Sequence, residues 1–316
     1  MAAPSLLQRV VEGVFTYPPV FNAAAKAARK KIMERGIEMG TWAEIDVDVD
    51  FWGKEIALAT KSDVSTPDYY RAPFHAYPQG NLSLDAALEV TNAARSVHAT
   101  VFNVGESEAL DPNGDERLRS SFSAKVKELF LQTGIELGDS PRILDIGAAT
   151  GLSSLALLKA FPGASVRGVD LSPYFVAVGL YLNRELMESE PGRLTLEHGA
   201  AEKLDMVDDE SLDMASMCLV CHELPQDATI RIFREAHRKL KPGGCLCVME
   251  MDPKTPAFQR ILSAAVPYVV FKSTEPYLLD YVAFDMEGAM HDVGFDCVVS
   301  ANNSPRHKTV VAVKSR

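Results

Sequence analysis

The sequence predicts an α/β protein: a seven-stranded, mostly parallel sheet that ends in an antiparallel hairpin, preceded by a mainly helical cap. Three observations carry this. From Arg142 onward, apolar β-type runs alternate with amphipathic helical stretches, the pattern of βαβ units around a parallel sheet. The last two apolar runs are joined only by residues 301–307, containing Asn302-Asn303-Ser304-Pro305. A link that short makes an antiparallel pair, because a parallel crossover needs about a dozen residues or more. Before Ser120 the alternation is absent, and helical stretches stand between loop-rich, aromatic ones. The predicted division is a cap and substrate region over residues 1–119 and a ligand-binding core over 120–316.

The strands are expected at residues 142–146, 165–169, 194–197, 212–220, 245–251, 296–300 and 309–314. Between them, helix 151–161 ends at Pro162-Gly163, and helix 173–187 has Ser172 as N-cap and Pro173 at its first position. Helix 228–240 sets Ile230, Phe233, Ala236 and Leu240 on one face and stops before Pro242-Gly243-Gly244, and helix 285–293 stops at Gly294. In the cap, helices are expected over 21–39, 84–101 and 124–132. Asp46, Asp48 and Asp50 alternate like the start of a calcium loop, but Phe51 and Ala57 stand where that loop needs Gly and Glu. A solvated strand face is the reading adopted for them.

Bulk properties narrow the function. The chain has 316 residues and a formal net charge of −11, which repels phosphate backbones and argues against nucleic acid as partner. No apolar run is long enough to span a bilayer, and Met1 to Val14 lack a basic region followed by an apolar block. A cytoplasmic protein is expected, or an organellar one if a transit peptide precedes this sequence. The five cysteines are read as free thiols. Cys218 and Cys221 form a CxxC, but three residues apart on a strand they point to opposite faces, so buried packing is expected and no metal site.

The chemistry is expected where the first strand meets Asp145-Ile146-Gly147-Ala148-Ala149-Thr150-Gly151 and a helix begins. Small residues let the backbone turn tightly against a ligand, and the helix N-terminus offers free N–H groups. A tight structural turn is the plainer alternative. Asp170 ends the second strand, where an acid can accept both hydroxyls of a ribose. Loop, spacing and acid together favour an adenosine ligand. Gly-x-Gly-x-x-Gly is absent, which weighs against a nicotinamide oxidoreductase.

Residues 143–154, 166–173, 198–204, 218–225 and 240–253 resemble the ordered motifs of the class I S-adenosylmethionine-dependent methyltransferases, a Rossmann-like family. They are most similar to its ubiquinone/menaquinone-biosynthesis (type 11-like) branch. The most specific piece is Arg238-Lys239-Leu240-Lys241-Pro242-Gly243-Gly244 ahead of a strand. The resemblance implies S-adenosyl-L-methionine as cofactor. It puts Asp145, Gly147, Ala149 and Gly151 at the methionine end, Asp170 on the ribose and Leu171 beside the adenine. Ala201 and Glu202 would edge the adenine, and Cys218 to His222 would floor the pocket. Ala149 replaces the family's middle glycine and is expected to keep a negative φ. Ala200 stands where the family often has Asp.

Methyl transfer from a sulfonium chiefly needs alignment and exclusion of water. His222, at the end of the fourth strand, is the candidate base, with Glu223 and Tyr70 beside the chemistry. A capping or loop-orienting role is the alternative for His222, and His198 is as readily structural. Tyr69, His75, Tyr77 and Tyr277, in two aromatic-rich segments, are the expected contacts to a small organic acceptor. A non-catalytic binder of S-adenosylmethionine or its demethylated product is the competing function.

Overall fold

A computed structural model describes residues 18–75, 77–103, 109–264, 268, 271 and 274–316 of the chain. The signal-peptide reading of residues 1–14 lies outside the described residues. The seven strands are β1 (Arg142–Ile146), β2 (Ser165–Asp170), β3 (Leu194–His198), β4 (Leu212–Cys218), β5 (Leu240–Met251), β6 (Phe295–Asn302) and β7 (His307–Lys314). They form one sheet in the order β3-β2-β1-β4-β5-β7-β6. β1 to β5 pair in parallel, and β7 inserts antiparallel between β5 and β6. This is the sheet that the short final link demanded. Two edges differ from expectation. β4 stops at Cys218 because Leu219 turns the chain with φ 61°. β5 starts at Leu240, which pairs with Leu212 ahead of a register shift.

The cap helices are α1 (Pro18–Glu38), α2 (Val49–Ala59) and α3 (Leu84–His98), and α4 (Gly114–Thr133) leads into the sheet. The remaining helices are α5 (Leu152–Ala160), α6 (Pro173–Leu182), α7 (Arg184–Ser189), α8 (Gln226–Lys239), α9 (Pro256–Ser263), α10 (Leu278–Val282) and α11 (Met286–Val293). Strand alternation divides the core between the two sheet faces. Leu144, Ile146, Leu246 and Val248 pack with Ile232 and Phe233 of α8 and Met290 of α11. Ile143, Met214, Cys245 and Cys247 pack with Leu118, Phe122 and Leu129 of α4 and Leu157 of α5. Each of these fully buried apolar side chains contributes roughly 1.5–3 kcal/mol. Among the described residues, no helix is long and apolar enough to cross a membrane.

Three local expectations are corrected. Asp48 is not on a strand face: its carboxylate caps α2 by accepting from Phe51 N at 2.9 Å, and Asp50 lies in the first helical turn. That helix carries Trp52, buried among Phe51, Tyr181 and Phe175, and so docks the cap on α6. The helix expected over 173–187 splits at Asn183, whose Nδ2 donates to Thr150 O and Gly179 O at 3.0 and 2.7 Å. α4 is far longer than the 124–132 stretch expected; it runs through residue 119 and buries Leu118, so cap and core share one apolar cluster.

Candidate active site

In this sheet order β1 lies between β2 and β4, so the connections leave to opposite sides at the carboxyl end of β1. Such a switch point opens a crevice where ligands bind in α/β sheets. A cavity of about 600 Å³ occupies it, roofed by the cap. That volume suits a small-molecule site, roughly 300–1,000 Å³.

The loop after β1 is shaped by alternating left-handed residues: Gly147, Ala149 and Gly151 have φ of 69°, 46° and 98°. The expected negative φ at Ala149 is therefore wrong. Its neighbours hold it there: Ala149 N donates to Asp170 Oδ2 at 2.8 Å, and Thr150 O accepts from Asn183. Gly147 is required twice over, because a Cβ would also stand 2.6 Å from Val220 Cγ2. Thr91 of α3 meets Thr150 at 2.8 Å, tying the cap to the loop.

Asp170 is buried at the cavity wall. Its Oδ1 accepts from Ser172 N at 2.8 Å and from the Tyr70 hydroxyl at 3.4 Å. Burial outweighs these hydrogen bonds and pushes its carboxyl up to about 6. Gly147, Ala149, Leu171, Ala201, Glu202 and Cys218 line the same cavity. Asp145 and Gly151 do not. Asp145 instead accepts from Ser153 and Ser154 Oγ at 2.6 and 2.7 Å, fixing the start of α5 from beneath, and burial pushes it up to about 6. Gly151 packs against Asn183 and Leu196.

A second, polar wall faces the loop. His222 Nδ1 lies 3.0 Å from both oxygens of Glu250, which is wholly buried. Burial lowers the affinity of this imidazole for its proton, but the Glu250 charge prevails and raises its pKa to about 10. His222 is thus not the near-neutral base that its position alone suggested. Glu223, pushed by burial up to about 7, accepts from Asn81 Nδ2 at 3.1 Å. His75, with φ 46°, brings Nε2 to 3.1 Å from Glu275 Oε1. Burial and the Asp170 and Glu223 charges keep the Tyr70 phenol well above its ordinary pKa.

Tyr69, His75 and Tyr77 also line the cavity; Tyr277 does not, but packs edge-on to Tyr69 and donates to its carbonyl at 3.1 Å. His198 is structural. Its Nδ1 accepts from Lys61 N at 3.0 Å and its Nε2 faces Leu171 O at 3.2 Å. Cys218 and Cys221 are both buried and belong to opposite faces of the sheet. Burial pushes the Cys218 thiol up to about 12, so it stays a thiol beside Arg119. Sequence reasoning missed Asn81, Arg119, Glu250 and Glu275 as site residues. Glu250 left a signal, a charge between Met249 and Met251 at the end of the apolar run from Cys245, and Glu275 lies in the aromatic and polar segment 272–277.

Residues 143–244, which hold the loop, Asp170 and the polar wall's His222 and Glu223, match the family described as methyltransferase domain. Over that stretch the chain is similar to the methyltransferase family. A demethylmenaquinone methyltransferase of Chlorobaculum parvum is 34% identical over 124 residues, 38% of this chain and 46% of that protein. One of Listeria welshimeri is 27% identical over 170 residues, 52% of this chain and 68% of that protein. The chain thus spans about half the length of the Chlorobaculum relative. A SAM-dependent methyltransferase structure from Aquifex aeolicus is similar to this chain with TM-score 0.46 and 18% identity, covering 64% of this chain and 93% of that one.

Proposed function

We propose that the chain is an S-adenosylmethionine-dependent methyltransferase that acts on a small, largely apolar organic acceptor. The carrying observation is the meeting of the Gly147–Gly151 turn and Asp170 on one cavity at the switch point of the sheet. In this reading Gly147 and Ala149 cradle the methionine end, and Asp170 takes the ribose hydroxyls. Leu171, Ala201 and Glu202 border the adenine, and Cys218 floors the pocket. Asp145 and Gly151 act from outside the cavity by fixing the turn and the start of α5.

Tyr70, His222 and Glu223 form the polar wall against which the nucleophilic atom is set, with Tyr69, His75 and Tyr77 around the acceptor. Beyond that wall the chamber is apolar, with Trp42, Val97, Phe258, Ile261 and Phe271 in its lining. The described residues of the cap supply part of this lining and cover the cavity, and alignment-driven transfer requires that water be excluded there. Aromatic, quinone-like acceptors are the first class to assay, because the Chlorobaculum relative is named for demethylmenaquinone and the chamber offers an apolar surround. A crystal structure with S-adenosylhomocysteine tests the reading. The ribose hydroxyls are expected within hydrogen-bond distance of Asp170; a nucleoside bound elsewhere overturns it.

A further inference from the structure

We infer that His75, His222, Glu223 and Glu275 form a binding site for one divalent transition-metal ion. One donor atom from each of His75, His222 and Glu223 lies within 4.8 Å of the other two. His75 Nε2 is 3.1 Å from Glu275 Oε1 and 3.9 Å from Glu223 Oε1. Metal–nitrogen bonds of about 2.0–2.1 Å hold two donors up to about 4.2 Å apart, so closing the His75, His222 and Glu223 donors on an ion needs a side-chain adjustment of roughly half an ångström, with Glu275 joining from beside His75.

Three features favour an ion over a plain ion-pair cluster. Glu275 is 5% exposed, and its second oxygen, Oε2, is buried without a hydrogen-bond partner. Three carboxylates, Glu223, Glu250 and Glu275, face two imidazoles, and no lysine or arginine among the described residues pairs with any of the three. A divalent ion supplies that positive charge in place of protons on the two imidazoles, which it displaces on binding. Finally, Glu250 binds His222 through Nδ1, which leaves Nε2 as the ring nitrogen without a partner among the described residues. A carboxylate behind a histidine is the usual outer partner of a metal-bound imidazole. Two imidazoles with carboxylates are a donor set for zinc, iron or manganese, and a poor one for magnesium, which prefers oxygen.

The ligands come from separate elements: His75 from the cap, His222 and Glu223 from the turn after β4, and Glu275 from the segment before α10. Metal binding therefore couples cap to core. On the methyltransferase reading, an ion here takes an acceptor oxygen and lowers the pKa of its hydroxyl, which points to acceptors that carry a hydroxyl or carbonyl group.

Calorimetric titration of the chelator-treated full chain with Zn(II) tests the site, with Co(II) absorption as a second readout. One Zn(II) per chain is expected. Glu275→Gln and His75→Gln should each weaken it at least tenfold, and Glu250→Gln should weaken it about 10–100-fold without touching the ion. Cys297→Ser, at the exposed thiol, should change nothing. Circular dichroism of each metal-free variant checks folding, and Glu275→Gln alone decides if His75→Gln unfolds. No binding, undiminished binding by Glu275→Gln, or binding lost with Cys297 overturns the inference. Binding needs no methyl donor: S-adenosylhomocysteine bound without any Zn(II) site refutes the metal and leaves the methyltransferase reading standing.

Discussion

Asp170→Ala separates binding from stability. The substitution leaves Ala149 N and Ser172 N without their acceptor. Each lost bond to a charged acceptor costs roughly 1–3 kcal/mol, about 2–6 together. Against this, burial holds the Asp170 carboxyl at about 6 instead of 3.8. At neutral pH that is roughly 3 kcal/mol of unfavourable charge burial, which alanine removes. The two effects partly cancel, so urea unfolding at pH 8 should shift by no more than about 3 kcal/mol. The pH dependence has a definite sign. A carboxyl raised on folding stabilises most in acid and loses that contribution as pH rises through its folded pKa, near 6 here. The variant should therefore compare worse with the wild type at pH 5 than at pH 8. Affinity behaves differently. Two charge-assisted hydrogen bonds to a ribose are worth at least about 3 kcal/mol, so S-adenosylhomocysteine should bind over 100-fold more weakly. Calorimetry on the folded variant reads this directly. Affinity within about threefold of wild type, a difference of about 0.7 kcal/mol, would refute the ribose role.

Three further outcomes follow from the packing. Trp52→Ala should cost about 3–5 kcal/mol in urea unfolding, because the ring is buried and docks α2 on α6; Trp52→Phe should cost far less, since the buried Nε1 has no partner to lose. Asp115 lies between His98 Nδ1 at 2.7 Å and Arg119 Nε at 2.9 Å and is held well below the usual carboxylate range, burial opposing and Arg119 prevailing. Asp115→Ala should cost about 3–5 kcal/mol by leaving Arg119 buried and unpaired. A depressed carboxyl stabilises above its unfolded pKa and loses that below it, so the wild-type advantage should fade in acid titration under pH 3.8. Ala149→Gly relieves about 1–2 kcal/mol of left-handed strain but forfeits up to about 0.8 for a partly buried methyl and about 0.5–1 for chain entropy. Its thermal midpoint should therefore stay close to the wild-type value, with turn geometry and S-adenosylhomocysteine affinity preserved.

The sheet, and the turn and acid that meet on the cavity, were legible because local pattern determines both. Alternating apolar runs specify strands, and the Gly147–Gly151 turn with Asp170 reads from one βαβ unit. What escaped depends on long-range contacts. α2 was hidden because Asp48 could cap a helix or face solvent on a strand, and only Trp52 docking against Tyr181 settles which. The φ of Ala149 follows from Asp170 and Asn183, not from its own side chain. His222 looked like a free base because its partner, Glu250, sits on the neighbouring strand end. His75 and Glu275 come together from distant parts of the sequence, and no spacing rule joins them.

The central claim is that the cavity at the switch point holds an adenosyl methyl-donor product. It is tested most directly by titrating the wild-type chain with S-adenosylhomocysteine and, in parallel, with NADH. One S-adenosylhomocysteine per chain is expected, with no heat from NADH. Binding of NADH with none of S-adenosylhomocysteine would contradict it.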